Sequence, residues 1–245
     1  MALLDVTQVS VKFGGNMALT DVDLAVEPHR ITGLIGPNGA GKTTLFNVIT
    51  GLQDPLRGKV SMNGIDITRF APHDRSQRGM ARTFQRIELF GSLTARENLQ
   101  VGAEIKRPFN NMEISAEERV ESAIELIGMD PFADVRADRL TTGQARLVEL
   151  GRALVTRPKL LLLDEPASGL DADETEYFAK ILRGLAKVGM AILLVEHDIP
   201  LVMKTCHVIY VLDFGKVIAV GTPEEIRQNQ LVIDAYLGSP EEVQA

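Results

Sequence analysis

One stretch of the sequence combines glycines, a lysine and a hydroxyl at the spacing that binds phosphate groups. It fits the pattern G-x-x-x-x-G-K-[ST] at every fixed position. Glycine lets the backbone fold closely around a phosphate chain, so that backbone N–H groups and the N-terminus of a following helix face the anion. The stretch predicts a nucleoside triphosphate site whose candidate residues are Gly36, Pro37, Asn38, Gly39, Ala40, Gly41, Lys42, Thr43 and Thr44.

The elements on both sides of this loop are the ones that phosphate binding requires. Ile31 to Ile35 predict a short buried strand before the loop, and Thr44 to Thr50 predict the first turns of a helix after it. The alternative, a glycine-rich turn with a surface lysine, would need neither element. We therefore interpret Lys42 as a ligand of the β- and γ-phosphates and Thr43 as a ligand of Mg²⁺.

Two carboxylates follow a second apolar strand, which runs from Leu160 to Leu163. Such a strand carries Asp164 out at its carboxyl end, where ligands bind in α/β sheets. Asp164 would hold Mg²⁺ directly or through water, and Glu165 would polarise an attacking water as a general base. The alternative is an acidic strand end that caps the next helix.

His197 and Gln85 have the chemistry to complete this site. His197 follows the predicted strand Met190 to Val195, and a neutral imidazole there can contact the γ-phosphate and orient the water. Taken alone, a histidine after a strand is more often structural. The Gln85 amide can bridge Mg²⁺ and the attacking water, although a single glutamine carries no information without the other residues.

Phe13 precedes the turn signal Gly14-Gly15-Asn16, and its ring can stack on a purine. The alternative is a strand residue that packs in the core.

A helix N-terminus is predicted at Leu140-Thr141-Thr142-Gly143-Gln144. Its backbone N–H groups can receive a phosphate, which makes Thr141, Thr142, Gly143 and Gln144 candidate nucleotide contacts. On these residues alone, an ordinary cap with a threonine at the N-cap position explains the pattern equally well.

The composition limits where the protein acts and what it binds. The 245 residues carry a net charge of −7 and an estimated pI of 5.2, so a basic nucleic-acid footprint is not apparent. No apolar run approaches the roughly 18 residues of a membrane-spanning helix, and the start lacks the features of a signal peptide. We expect a cytoplasmic protein that reaches a membrane only through partners. Cys206 is the single cysteine and is interpreted as a buried small residue.

The order of predicted elements indicates an α/β fold. The first third is β-rich, Ser92 to Leu140 is polar with helical patterns at Ala95 to Ala103 and Ala116 to Ile127, and the last hundred residues alternate strand and helix. We expect a mostly parallel sheet covered by helices, with a helical insertion in the middle. The acidic tail after Gly238 is expected to be mobile.

In this order and spacing, the segments resemble the ATP-binding subunit of an ABC transporter, from about Leu3 to Leu237. The resemblance rests on motifs that follow one another in the family's order. They are the adenine-stacking aromatic (Phe13) with Walker A (36–43), the Q-loop (Gln85), the signature motif (140–144), Walker B (160–164) with the catalytic glutamate (Glu165), the D-loop (168–171) and the switch histidine (His197).

The resemblance looks closer to the branched-chain amino-acid importers, in segments such as Gly79 to Gln85 and Glu196 to Asp198. It implies a P-loop NTPase (RecA-like) core at 1–86 and 155–237 with an antiparallel β subdomain, a helical subdomain at 87–154 and a tail at 238–245, all within one domain of 245 residues.

The resemblance also implies cofactors and partners. The cofactors are ATP and Mg²⁺, with Thr43, Gln85 and Asp164 around the metal. Two such subunits, identical or different, face each other head to tail. They dock onto transmembrane permease subunits at the inner face of the cell membrane, through a groove that here involves Phe84 to Glu97. A solute-binding protein takes part indirectly. In the signature motif Thr142 replaces a glycine, which puts the dimer's phosphate contact in question.

Three other functions remain open at this level. The first is import of another polar solute, such as urea or an amide, because solute contacts lie in other chains. The second is a non-transport ABC protein in translation or DNA repair, which would resemble tandem copies or carry long coiled coils. The third is a P-loop GTPase, which would need an N-K-x-D-like segment that the sequence lacks.

Overall fold

The strands of the chain fall into two sheets in the computed structural model, which describes residues 2–105 and 114–237. The predicted tail at 238–245 lies outside the described residues. The strands are β1 (Leu4–Phe13), β2 (Asn16–Val26), β3 (Ile31–Ile35), β4 (Arg57–Met62), β5 (Ile65–Asp66), β6 (Met80–Arg82), β7 (Leu160–Asp164), β8 (Ala191–Val195), β9 (Val208–Asp213) and β10 (Lys216–Gly221).

The α-helices cover both sheets and form a separate cluster in the middle of the sequence. They are α1 (Lys42–Thr50), α2 (Pro72–Gln77), α3 (Ala95–Ile105), α4 (Ala116–Ile127), α5 (Thr142–Leu154), α6 (Ala172–Lys187), α7 (Ile199–Thr205), α8 (Pro223–Gln228) and α9 (Gln230–Leu237).

The larger sheet has six strands in the order β10-β9-β3-β8-β7-β6. All neighbours are parallel except the β9–β10 hairpin. Every residue of β3, β7 and β8 is buried, as expected for parallel strands covered by helices on both faces. Since these three strands are adjacent and run in the same direction, their carboxyl ends meet at one edge of the sheet. The expectation of an α/β fold with a mostly parallel sheet is confirmed.

The smaller sheet is antiparallel, with the order β2-β1-β4-β5. Its inner face packs on α1, through a core that includes Val11, Leu19, Phe46 and Ile49. The turn between β4 and β5 lies at Asn63-Gly64, where both residues have positive φ (52° and 76°), as a two-residue hairpin requires.

Helices α3, α4 and α5 pack against one another, with Leu99, Ile127, Val148 and Leu150 completely buried between them. Helix α4 begins with a capping box formed by Ser115 and Glu118. Helix α3 lies so close to α5 that a Cβ at Gly102 would stand 2.7 Å from the carbonyl oxygen of Arg152. The two helices depend on this glycine for their close contact.

The structure differs from the sequence predictions mainly at the ends of elements. Helix α1 begins at Lys42 rather than Thr44, because Gly41 takes a left-handed conformation and ends the loop there. Strand β8 begins at Ala191, one residue after the predicted start. Cys206 is buried as predicted, and burial raises the pKa of its thiol to about 12.

Five further elements had not been predicted, namely β6, α2, α7, α8 and α9. All are between three and eight residues long, which is too short for a clear hydrophobic period. Among the residues that the structure describes, no helix has the length and apolar character needed to cross a membrane.

The close contact of α3 with α5 can be tested with two glycine-to-alanine substitutions. We expect Gly102→Ala to lower the free energy of unfolding by about 1–3 kcal/mol, because the methyl group meets a backbone oxygen that cannot rotate away. Gly184→Ala in α6 is the matched control, since a Cβ there meets no atom within 4 Å. It should stabilise by up to about 1 kcal/mol through helix propensity. Urea unfolding measures both, and equal effects would contradict the contact.

Candidate nucleotide-binding site

The phosphate loop connects the end of β3 to the start of α1, as the sequence predicts. Its backbone requires glycine at two positions, because a side chain at each would collide with a different backbone oxygen. A Cβ at Gly36 would lie 2.0 Å from the carbonyl oxygen of Leu212, and one at Gly41 would lie 2.8 Å from that of Ala18. No side chain caps the N-terminus of α1. The loop is therefore held tightly by β9 and β2 while its helix N-terminus is suited to an anion.

Lys42 lies folded against the loop that precedes it. Its ammonium group donates hydrogen bonds to the carbonyl oxygens of Gly36 (2.5 Å) and Pro37 (3.1 Å), and the residue is 8% exposed. Thr43 next to it is exposed, and Thr44 is half-buried. The backbone thus holds the lysine at the mouth of the loop, beside the place predicted for the phosphates.

Asp164 ends β7 at the predicted edge of the sheet and is ion-paired with Arg82 of β6. The Arg82 Nη2 atom lies 2.9 Å from Asp164 Oδ2, and each side chain is only 10% exposed. Arg82 Nη1 also donates to Asn47 Oδ1 of α1 at 2.9 Å. No role for Arg82 is predicted from the sequence. Its signal was its place in the run that leads to Gln85, because β6 is the neighbour of β7.

Three residues predicted from separate segments meet at one carboxylate oxygen. Gln85 Nε2 donates to Glu165 Oε2 at 2.7 Å, and His197 Nδ1 lies 3.8 Å from the same oxygen. The His197 side chain is 62% exposed, whereas that of Glu165 is 19% exposed. Glu165 has a positive φ of 48°, a backbone strain typical of functional positions. The structure therefore brings these three residues together.

Glu196 is a further acidic residue at this edge, and no role for it is predicted from the sequence. It is 1% exposed and accepts hydrogen bonds from the backbone N–H groups of Ala167 (2.8 Å) and His197 (3.3 Å). Burial raises the pKa of its carboxyl group, although these hydrogen bonds and His197 oppose the shift. Glu196 thereby joins the segment after Glu165 to the segment that carries His197.

The polar side chains at the start of α5 bond to one another. The Thr141 hydroxyl accepts from the Gln144 N–H (3.2 Å), and the Gln144 side chain accepts from the Thr141 N–H (3.0 Å). This capping box shows that the N-cap interpretation of Thr141 is right. A contact of Thr141 or Gln144 with nucleotide stays a prediction.

Gly143 is buried against the neighbouring helix α6. A Cβ at Gly143 would lie 2.2 Å from a carboxylate oxygen of Glu174, which itself belongs to the capping box of α6. Thr142 is exposed, and its methyl group lies 3.3 Å from the position of a Cβ on Gly169 in the predicted D-loop. The predicted signature motif is thus packed directly against the segment that follows Glu165.

Phe13 ends β1 and is 52% exposed, so the alternative interpretation, a strand residue packed in the core, is wrong. Its ring is available on the surface, and stacking on adenine stays a prediction.

The predicted metal ligands are a hydroxyl (Thr43), a carboxylate (Asp164) and an amide (Gln85), and these oxygen donors suit Mg²⁺. Among the described residues there is no group of three or more His, Cys, Asp and Glu that could hold a metal ion. A site with one carboxylate agrees with this finding, because Mg²⁺ commonly keeps its waters and binds one or two carboxylates together with substrate phosphates. The donor set therefore fits Mg²⁺ bound with a nucleotide.

The chain matches known proteins along almost its whole length. The model of the ABC transporter family matches residues 19–168, and that of the branched-chain amino acid ATP-binding cassette transporters matches residues 216–242. Two relatives, each 39% identical over 96% of this chain and 98% of their own, are the high-affinity branched-chain amino acid transport ATP-binding proteins BraF of Pseudomonas aeruginosa and LivG of Escherichia coli.

Another relative, the lipopolysaccharide export system ATP-binding protein LptB of Haemophilus influenzae, is 35% identical over 97% of this chain and 98% of its own. Among solved structures, the ADP conformation of MJ1267, an ATP-binding cassette of an ABC transporter, superposes with a TM-score of 0.88 at 31% identity, over 98% of this chain and all of the other. The dimeric cassette MJ0796 has a TM-score of 0.78 at 27% identity, over 90% of this chain and 98% of its own.

The fold, the phosphate loop and these matches define the class of protein. The chain belongs to the ABC transporter family and is an ATP-binding ATPase of that family. The expectation drawn from the order of the motifs is therefore confirmed. Within the family, the segment 216–242 matches the branched-chain amino acid group, and two relatives along almost the whole chain are ATP-binding proteins of branched-chain amino acid transport.

The role of Phe13 can be tested by comparing two ligands. We expect Phe13→Ala to weaken ATP binding by about 0.5–1.5 kcal/mol, the contribution of one aromatic stack. Binding of inorganic triphosphate, which has no base, should not change. Phe132→Ala, at an aromatic residue that is 39% exposed, is the control. Equal losses for ATP and triphosphate in a binding titration would contradict stacking.

Proposed function

We propose that this chain hydrolyses Mg²⁺-ATP at the carboxyl edge of its parallel sheet and thereby powers import of branched-chain amino acids through membrane-bound partner subunits. The observation that carries the catalytic part is the meeting of Gln85, Glu165 and His197 at the Glu165 Oε2 atom. Lys42 and the backbone of residues 36–43 hold the phosphates beside it.

Phosphate binding requires a change of partners at Lys42. The ammonium group that now bonds to Gly36 and Pro37 turns toward the β- and γ-phosphates, and loop N–H groups receive the same oxygens. Thr43 and Asp164 would hold Mg²⁺, which would supply charge neutralisation at the phosphates. Arg82 keeps one carboxylate oxygen of Asp164 in a fixed direction.

Glu165 acts as the general base on the attacking water. Its carboxylate takes the water proton while the water oxygen attacks the γ-phosphorus, and the bond from that phosphorus to the β–γ bridging oxygen breaks, so that ADP leaves. The Gln85 amide donates to Oε2 and so orients the carboxylate, and the exposed His197 ring contacts the γ-phosphate. Glu196 accepts a hydrogen bond from the backbone N–H of His197 and so holds that backbone in place.

The second half of each site comes from another subunit, facing head to tail. Support comes from the dimeric structure of MJ0796, a cassette of the same fold. In the proposed dimer the start of α5 receives the γ-phosphate of the facing subunit. Glu174, which lies against Gly143, would have to yield to that phosphate. A bulky side chain at Gly143 would also collide with Glu174 within the monomer. Loss of dimerisation in such a variant would therefore not identify Gly143 as a residue of the dimer interface.

Branched-chain amino acids are the proposed solute because this is the transport named for BraF and LivG, and because a model of that group matches residues 216–242. Urea or an amide is the alternative solute. The proposed partners are transmembrane permease subunits, a second ATP-binding subunit and, indirectly, a solute-binding protein. The chain would then lie on the inner face of the cell membrane.

A groove beside Gln85 suits docking of the permease. A cavity of about 400 Å³ is lined by α2, β6, α3 and α5, with Phe84 and Phe90 at its surface. These rings are 39% and 49% exposed, and Ile87 is 36% exposed. Leu89, by contrast, packs on the core of the helical cluster. Within the expected groove at 84–97, the apolar side chains open to a partner are therefore Ile87 and Phe90 rather than Leu89.

The proposed base is tested by Glu165→Gln. The amide keeps the shape and the contact with Gln85 but does not accept a proton at neutral pH, so we expect ATP turnover to fall by at least about 100-fold. ATP affinity should stay within about twofold. Light scattering should detect a dimer trapped by unhydrolysed ATP. Turnover near that of the wild type would assign the base elsewhere.

The docking groove is tested by the double substitution Ile87→Glu, Phe90→Glu. We expect a folded ATPase that does not co-purify with its permease, because buried charges in an apolar interface are strongly unfavourable. Leu126→Glu on α4 is the control, since Leu126 is 47% exposed and outside the groove. Intact complex formation and transport by the double variant would refute the groove as the docking surface.

A further inference from the structure

Helix α5 carries a buried ion pair whose role the motifs do not explain. Arg146 Nη1 lies 3.1 Å from Glu149 Oε2, and the two side chains are 5% and 4% exposed. Burial raises the pKa of the Glu149 carboxyl group, with Arg146 opposing the shift. A buried ion pair is seldom retained for stability, because desolvation of the charges costs about as much as their attraction returns. The other bonds of the pair indicate its role.

Both residues bind the backbone at the start of the Q-loop. Arg146 donates from Nη2 to the carbonyl oxygen of Gln85 at 2.7 Å and from Nη1 to that of Phe84 at 3.2 Å. Glu149 Oε1 accepts from the N–H of Phe84 at 3.5 Å. Three backbone groups on either side of Gln85 are therefore anchored to one face of α5.

The same helix begins at the predicted signature motif. Thr141 caps α5, and Arg146 lies little more than one turn further along. At the other end of the path, the side chain of Gln85 donates to Glu165 Oε2 at 2.7 Å. A continuous set of bonds thus runs from the start of α5 through Arg146 and the Gln85 backbone to the carboxylate of Glu165.

We propose that Arg146 and Glu149 are positioning residues, which fix Gln85 to α5 so that movement of the signature helix sets the distance between Gln85 and Glu165. Phosphate contact at the start of α5 then determines whether the Glu165 carboxylate is correctly oriented. The proposal rests on the proposed roles of Gln85 and Glu165. It adds a route by which the signature motif influences the orientation of the Glu165 carboxylate in its own subunit.

An arginine with a purely structural role would be as deeply buried as Arg146. The chain contains such an arginine, which serves as a matched control. Arg119 of α4 is 8% exposed and donates to the carbonyl oxygens of Val155 (2.7 Å) and Ala103 (3.0 Å). It joins three helical segments but bonds to no residue of the Q-loop through these two contacts. Loss of either arginine should therefore lower stability, whereas only loss of Arg146 should act on Gln85.

The test is a double-mutant cycle on the full chain, with Arg146→Met, Arg119→Met, Gln85→Ala and the combination of Gln85→Ala with Arg146→Met. We expect Arg146→Met to lower kcat at saturating ATP between about 10- and 100-fold, as for a misplaced catalytic group, with ATP affinity within about twofold. Arg119→Met should lower the melting temperature but change kcat of the folded protein less than about twofold. In the Gln85→Ala background, Arg146→Met should lower kcat by no more than about twofold, because its effect passes through Gln85.

A full additional loss in the Gln85→Ala background would overturn the proposal, as would an unchanged kcat for Arg146→Met. If Gln85→Ala alone keeps full kcat, the proposed role of Gln85 fails as well. This variant therefore distinguishes a failure of the proposed function from a failure of the positioning role of Arg146 and Glu149. Should Arg146→Met not fold, Arg146→Lys keeps the charge but loses the planar fork that binds two carbonyls. Hydrogen exchange at residues 84–88 should then be faster than in Arg119→Lys, and equal exchange would refute the proposal.

Discussion

The parallel alignment of β3, β8 and β7 is the constraint on which the site depends. In this register Leu34 lies beside Val195, and Val195 lies beside Asp164. Because parallel strands end at the same edge, the residues that follow them are brought together without any further device. The phosphate loop follows β3, Glu165 follows Asp164, and His197 comes two residues after the end of β8. Hydrogen bonding of the sheet thus sets the distances between groups more than a hundred residues apart in sequence.

Buried charges then fix the direction of the side chains at that edge. Asp164 is paired with Arg82, Glu196 accepts two backbone N–H groups, and Arg146 with Glu149 binds the backbone at Gln85. Each group loses hydration when it is buried, so none is explained by a gain in stability alone. They share a consequence, which is that every loop carrying a predicted catalytic residue is tied to a neighbouring element. A preorganised site avoids reorganisation of these dipoles during the reaction.

The helical cluster of α3, α4 and α5 lies between the predicted phosphate contact and the proposed docking groove. Its helix α5 begins at the predicted phosphate contact and passes Gln85, and its residues Glu149 and Arg152 also line the proposed docking groove. One helix therefore adjoins the predicted phosphate contact, the Gln85 backbone and the proposed docking groove. Close helix packing, such as the glycine contact of α3 with α5, makes a movement of the whole cluster easier than a local bend. This arrangement is suited to transmitting a small structural change at the phosphate contact to the proposed permease partner.

The sequence by itself determined the phosphate loop, the buried strands and the class of protein, because each follows from local rules. A loop that wraps a phosphate needs glycine at set intervals, and a strand buried on both faces needs a continuous apolar run. Only the tertiary structure decided the partners of Arg82, Glu196 and Arg146. Their bonds join segments far apart in the chain, and no local period marks them. It also separated Leu89, which is partly buried and packs against the core, from Phe90, which is half exposed, because burial of an apolar side chain depends on which helix lies opposite it.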